Sequence, residues 1–189
     1  MNKRQELIAL LHEKSFRTGE FILTSGKKSN YYIDVRATST DPHGAALIGD
    51  LLLERVASLG GVDAVAGMVL GAVPVVMGAV ARSVDAGTPV SALLVRKEAK
   101  GHGRGKRIEG TIAPGMRVLI VDDVATTAGS TLKTIEAVLD EVPAAQIVGV
   151  VAVVDRNEGG REAVAAAGYE LTALVTVDEL FALGERPVE

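Results

Sequence analysis

The chain has 189 residues, 48% hydrophobic and 3% aromatic, with a formal charge of −4 from 20 basic and 24 acidic side chains. That length predicts one domain, and the acidic balance disfavours a general nucleic-acid binder. The lack of cysteine excludes disulfides, thiolate metal sites and a cysteine nucleophile, and the apolar stretches are broken by Gly, Pro or charge well short of a membrane span.

Trp is absent, so the core must come from Val, Leu, Ile and Ala, a composition that suits a buried parallel sheet. The N-terminus is charged and leads into a helix pattern over residues 3–14, with Leu7, Ile8 and Leu11 on one face. This is not the pattern of a signal peptide, and a cytoplasmic location is expected. Extended runs are predicted over 20–24 and 30–35, with Ser25-Gly26-Lys27-Lys28 as the hairpin turn between them. Asp41-Pro42 marks a helix start, and that helix ends before Gly60-Gly61.

From there strands and helices alternate. Strands are predicted over 64–69, 90–95, 116–121, 147–154 and 170–175. Helices are predicted over 74–84, 130–141, 158–167 and 178–183. The segment 96–114 has no apolar period and reads as a loop. The alternation predicts an α/β fold: a mostly parallel sheet flanked by helices, with ligands beyond the carboxyl ends of the strands. The first 40 or so residues differ in pattern and predict a small N-terminal hood over a core of residues 41–189.

The strand ending at Val121 runs into Asp122-Asp123-Val124-Ala125-Thr126-Thr127-Ala128-Gly129-Ser130-Thr131. A helix N-terminus offers unpaired N–H groups and the positive end of a dipole, so it seats phosphate. Thr126, Thr127, Ser130 and Thr131 add hydroxyl donors, and Gly129 lets the backbone approach an anion. The two Asp side chains would repel a phosphate, but they can accept hydrogen bonds from a diol or contact the waters of Mg²⁺. A ribose 5-phosphate satisfies both halves. Alone, any one feature fits an ordinary strand–loop–helix with solvated acids.

This segment resembles the signature of the type I phosphoribosyltransferases, two acids followed by Val-x-Thr-Thr-Gly-Gly-Ser. Ala128 departs from it, standing where that pattern usually has Gly. The resemblance implies that Asp122, Asp123, Val124, Ala125, Thr126, Thr127, Ala128, Gly129 and Ser130 bind 5-phosphoribosyl-1-diphosphate (PRPP). It also implies that Mg²⁺ arrives with PRPP near Asp122 and Asp123, with no fixed protein metal site.

Residues 96–107 hold six of the 20 basic side chains and one acid, with Gly101, Gly103 and Gly105 at alternate positions. Such spacing disfavours a stable helix or strand and suits a loop that closes over a polyanion, excluding water from a cationic sugar transition state. A solvated excursion is the usual alternative. The glycines match neither the dinucleotide fingerprint nor a P-loop. The loop resembles the catalytic loop of the orotate phosphoribosyltransferases, Arg-Lys-x-x-Lys-x-His-Gly. That resemblance implies donor contacts from Arg96, Lys97, Lys100 and His102, catalytic roles for Lys100 and Asp123, and a homodimer in which loop 96–107 completes the neighbouring site.

The stretch Ser25-Gly26-Lys27-Lys28-Ser29-Asn30-Tyr31-Tyr32-Ile33 is similar to the same family's hood, which implies base contacts from Tyr32 and Ile33. Thr126 and Arg156 are implied at the base as well, Arg156 on the carboxylate of orotate; its bland alternative is a surface pair with Asp155 or Glu158. Residues Leu70, Gly71 and Ala72 fall in the family's diphosphate loop, although a tight turn explains them equally well. Relatives with Tyr-Lys at the Leu70-Gly71 positions have a basic contact there that this chain lacks, and Thr24 replaces a donor-binding Lys of some relatives. Together these resemblances, which span about residues 16–160, imply transfer of phosphoribose from PRPP to orotate in pyrimidine synthesis. Transfer to a purine is the nearest rival, and a non-catalytic donor-binding regulator is the rival of another class.

Overall fold

The computed structural model describes residues 2–22, 26, 28–98 and 106–188. Helix α1 (Lys3–Lys14) opens on a capping box. The Asn2 side chain accepts from the Gln5 N–H at 2.9 Å, and the Gln5 side chain accepts from the Asn2 N–H at 3.3 Å. Its buried face is Leu7 and Leu11. Strands β1 (Phe16–Ile22) and β2 (Lys28–Ile33) pair antiparallel, with Phe16 opposite Ile33. The hairpin starts at Phe16 rather than at residue 20, because Phe16 is buried and its strand pairs despite weak alternation. Ser25 and Lys27 of the expected turn lie outside the described residues.

The second strand ends at Ile33, and a single-turn helix α2 (Arg36–Ser39) follows. The apolar pattern does not announce it. Asp34 sets it locally, its carboxylate accepting from the Arg36 N–H at 3.0 Å. Helix α3 (Pro42–Ser58) starts where expected: Asp41 accepts from the N–H groups of His43 and Gly44, and Lys14 reaches the same carboxylate at 2.6 Å, fastening α1 to α3.

The remainder winds as β3 (Ala64–Met68), α4 (Val73–Asp85), β4 (Ser91–Val95), β5 (Ile108–Glu109), β6 (Arg117–Ala125), α5 (Gly129–Glu141), β7 (Gln146–Asp155), α6 (Gly160–Ala166), β8 (Leu171–Thr176) and α7 (Val177–Phe181). The sheet order is β5-β4-β3-β6-β7-β8, parallel except for β5. The two-residue β5 lies within the segment expected to be all loop. It pairs antiparallel along β4, tying down the edge of the sheet.

Alternate residues of each strand feed two cores. Val65, Leu119, Val121 and Val151 face α1, α3 and α4, joined by Phe16, Ile33 and Val35 from the hood region. Ala64, Ala66, Val118, Ile120 and Val150 face α5 and α6. Where α3 crosses α4, a Cβ on Gly49 would come within 2.6 Å of the Gly78 carbonyl oxygen, so the two helices touch through backbone.

Candidate active site

Between β3 and β6 the chain reverses its direction across the sheet: β4 and β5 lie to one side, β7 and β8 to the other. Pairing of β3 with β6 stops at Gly67 opposite Val121, while β6 runs on to Ala125 paired with β7 alone. A crevice opens on the vacated side, at the place where open α/β sheets bind ligands. The aspartates therefore lie inside β6 rather than beyond the strand end expected at residue 121.

A cavity of about 690 Å³ fills this crevice. Tyr32, Ile33, Asp34 and Arg36 line it from the hood side, Asp123, Val124, Thr126 and Thr127 from β6 and its loop, and Arg156 and Glu158 from the end of β7. A second cavity of about 250 Å³ adjoins it, lined by Met68, Val69, Leu70, Gly71, Lys97, Asp122, Asp123 and Ser130. Gly71 and Asp123 border both. The Val69–Leu70 peptide is cis. A Cβ on Gly71 would sit 2.7 Å from the carboxyl carbon of Asp123, so only glycine lets the loop pass this close to the acid.

The two acids differ. Asp122 is 3% exposed and faces α5, where one carboxylate oxygen accepts from the hydroxyls of Ser130 and Thr131, each at 2.6 Å. Burial is the main cause that pushes its pKa up to about 6, against the two hydroxyl hydrogen bonds and with help from the neighbouring Asp123 charge. The two acids are placed differently: Asp123 lines both cavities, whereas Asp122 lines only the smaller one and holds the first turn of α5. Ser130 and Thr131 spend their hydroxyls on Asp122, and backbone N–H groups remain the natural phosphate donors of this helix start. Ala128 precedes the helix in the left-handed region, φ 58°, where the consensus glycine would sit without strain.

Ala72, Ala125 and Ala128 are buried, so only their backbone is available to a ligand, and the Ala125 carbonyl already accepts from the Arg156 N–H at 3.0 Å. Arg96 lines neither cavity. Its side chain pairs with Glu109 at 3.1 Å and its N–H donates to the Arg107 carbonyl, closing the root of the basic segment. Lys100 and His102 lie outside the described residues, as does Thr24. Arg156 is 8% exposed, pairs with Glu158 at 2.8 Å and lines the larger cavity, so its pair sits at the cavity wall with the arginine buried. Asp155 pairs instead with Arg161 at 2.6 Å.

Asp34 and Arg36, not singled out in the sequence, also line the larger cavity, and Glu158, expected as a pairing partner of Arg156, lines it too. Asp34 grips Arg36 through two side-chain hydrogen bonds of 2.8 Å. The pair lowers the Asp34 pKa, chiefly through the Arg36 hydrogen bond, and raises that of Arg36. An acid two residues before an arginine was the available signal. The Tyr31-Tyr32 aromatic pair was legible in the chain, but only the fold brings the Tyr31 hydroxyl to Arg156 and Glu158, 125 and 127 residues away.

Among the described residues no group of His, Cys, Asp and Glu could hold a metal by itself, and no helix is long and apolar enough to cross a membrane. The phosphoribosyl transferase domain model matches residues 39–171. The chain is 44% identical over 180 residues to an orotate phosphoribosyltransferase of Pyrococcus abyssi, covering 94% of this chain and 95% of that protein. It is similar in structure to the orotate phosphoribosyltransferase of Mycobacterium tuberculosis, with a TM-score of 0.83 at 37% identity over 95% of this chain and 99% of that one. The structure of the same Mycobacterium tuberculosis enzyme in complex with PRPP matches with a TM-score of 0.78 at 34% identity, covering 95% and 99%.

Proposed function

The chain belongs to the phosphoribosyltransferase family, and from that premise we propose how its site carries out the reaction of the orotate branch. The reaction joins orotate to the phosphoribosyl group of PRPP, giving orotidine 5′-monophosphate and diphosphate in de novo pyrimidine synthesis. The observation that carries the residue assignment is the single cavity lined together by Thr126 and Thr127 of the turn leading into α5, by Asp123 and by Arg156.

In this reading the 5-phosphate sits on the backbone N–H groups from Thr126 to Ser130 at the start of α5. Asp123 accepts from the ribose hydroxyls and fixes the sugar. The base lies between Tyr32, Ile33 and Val124, with Thr126 at its edge, and its carboxylate meets Arg156. The diphosphate extends into the smaller cavity, against Leu70, Gly71 and Lys97, with the buried Ala72 continuing the loop. As the glycosidic carbon becomes cationic, charge gathers on the departing diphosphate, and Lys97 together with Lys100, Arg96 and His102 of the basic segment favours that state.

The oxygen donors here fit Mg²⁺, which keeps several waters and needs only one or two carboxylates beside phosphate oxygens. Asp123, with Asp122 behind it, would hold the hydrated ion, which when bound neutralises charge on the diphosphate. A homodimer with segment 96–107 completing the neighbouring site is supported by the outer face of α4, where Met77 and Val84 are exposed, and by Leu70, 70% exposed at the rim of the smaller cavity. The cytoplasm is the proposed compartment.

The test is spectrophotometric: consumption of orotate with PRPP and Mg²⁺, beside adenine, hypoxanthine and uracil. Turnover of orotate alone is expected. Preference for a purine would replace this reading with the rival base class, and PRPP binding without turnover of any base would favour a regulator.

A further inference from the structure

Arg156 reaches the cavity from the end of β7, but much of what aims its guanidinium belongs to the hood. The Tyr31 hydroxyl accepts from Arg156 Nε at 3.0 Å and donates to Glu158 Oε1 at 3.1 Å. The Tyr31 ring lies beneath the guanidinium, 4.5 Å from ring centre to Cζ. That ring is itself wedged, edge-on to Phe181 at 5.4 Å and tilted against the buried Phe16 at 6.1 Å. Glu158 completes the cage with an ion pair of 2.8 Å to Nη2.

We infer that Tyr31 is a positioning residue for base recognition, holding Arg156 with its terminal nitrogens toward the cavity, and that Glu158 is an internal carboxylate which a carboxylate-bearing base displaces. The inference rests on the reading of this cavity as the base site. A largely desolvated guanidinium is costly without a charged partner. In the unliganded cavity Glu158 supplies that partner. A base with a carboxylate supplies the same charge, so Arg156 stays paired throughout the exchange, and the Glu158 side chain, 38% exposed, can be rehydrated on release. A neutral pyrimidine offers nothing to exchange and must leave the internal pair in place. Selectivity for the charged base then comes from swapping one carboxylate for another, with Tyr31 keeping the guanidinium in register for either.

The experiment compares Tyr31→Phe and Glu158→Gln with wild type in steady-state assays, varying orotate at saturating PRPP and then the reverse. Tyr31→Phe keeps the ring and its packing but leaves Arg156 Nε without its acceptor. The orotate KM is expected to rise about tenfold, the size of one hydrogen bond to a charged group, with kcat and the PRPP KM within about twofold. Glu158→Gln removes the competing charge, and the orotate KM is expected to fall by about threefold or more. An unchanged orotate KM in Tyr31→Phe, or an equal rise in both KM values, overturns the positioning role. A raised orotate KM in Glu158→Gln overturns the exchange. Because KM does not depend on the fraction of active enzyme, partial unfolding of either variant leaves these comparisons valid. If wild type fails to consume orotate, the functional reading itself has failed; if wild type turns over and both variants match it, only this inference has.

Discussion

The two ends of the cavity are built differently. The end proposed for phosphate is one continuous segment, Val121 to Thr131, in which strand, acids, turn and helix start follow in order and Asp122 reaches only eight and nine residues along to Ser130 and Thr131. The end proposed for the base is assembled from two distant stretches, the hood around Tyr31–Arg36 and the end of β7 at Arg156–Glu158, which meet across more than a hundred residues. Local geometry fixes the first. The second exists only when the hood is docked, through Phe16, Tyr31 and Phe181, on the sheet. On the proposed reading, the site is thus half short-range and half long-range.

The comparison is sharpened most by removing the one acid that fronts the larger cavity from the phosphate end. Asp123→Asn is expected to lower kcat/KM by about 10²–10³-fold, as for loss of a principal electrostatic contact. Circular dichroism and thermal melting should match wild type, because Asp123 packs no core. A loss under tenfold would break the assignment of the sugar to this acid.

At the base end Arg156→Ala should raise the orotate KM by about 10²-fold while the PRPP KM stays within about threefold. An equal rise for both substrates would show that the two ends are not separable in the way described. The phosphate end also carries a pH signature. Burial raises the folded-state pKa of Asp122 from 3.8 to about 6, so the folded protein holds a proton that the unfolded chain releases earlier. The group's favourable contribution is therefore complete below about pH 4 and is lost as pH rises through 6. The drop is of order 1–3 kcal/mol. Urea unfolding at pH 4.5 and 7.5 should reveal this component, and Asp122→Asn should flatten it; identical pH slopes in the two proteins would show that Asp122 is not its origin.

The smallest effect concerns Ala128. Its left-handed backbone costs about 1–2 kcal/mol, while glycine there would lose a buried methyl worth about 0.8 kcal/mol and add unfolded-state entropy of about 0.5–1 kcal/mol. The opposing contributions nearly cancel, so Ala128→Gly should leave the melting temperature within about 2 °C. A larger rise would mean that the strain is greater than the backbone angle implies.

What the amino-acid order determined follows the same division. The alternation of Val-rich strands with amphipathic helices, the Asp41 cap and the acid–hydroxyl–glycine string after Val121 each act over a few residues, so they are legible in the chain alone and place the sheet, α3 and the phosphate corner. Tertiary structure decided the rest. The extension of β6 to Ala125 needed β7 beside it, the two-residue β5 needed the edge of β4, and the placing of Asp123 on both cavities, with Asp122 on the smaller one alone, needed the end of β3 at Met68. The meeting of Tyr31 with Arg156 and Glu158 came only through packing, because pairing over a hundred residues leaves no periodic trace in the chain; it arises when burial brings surfaces together and their polar groups must find partners.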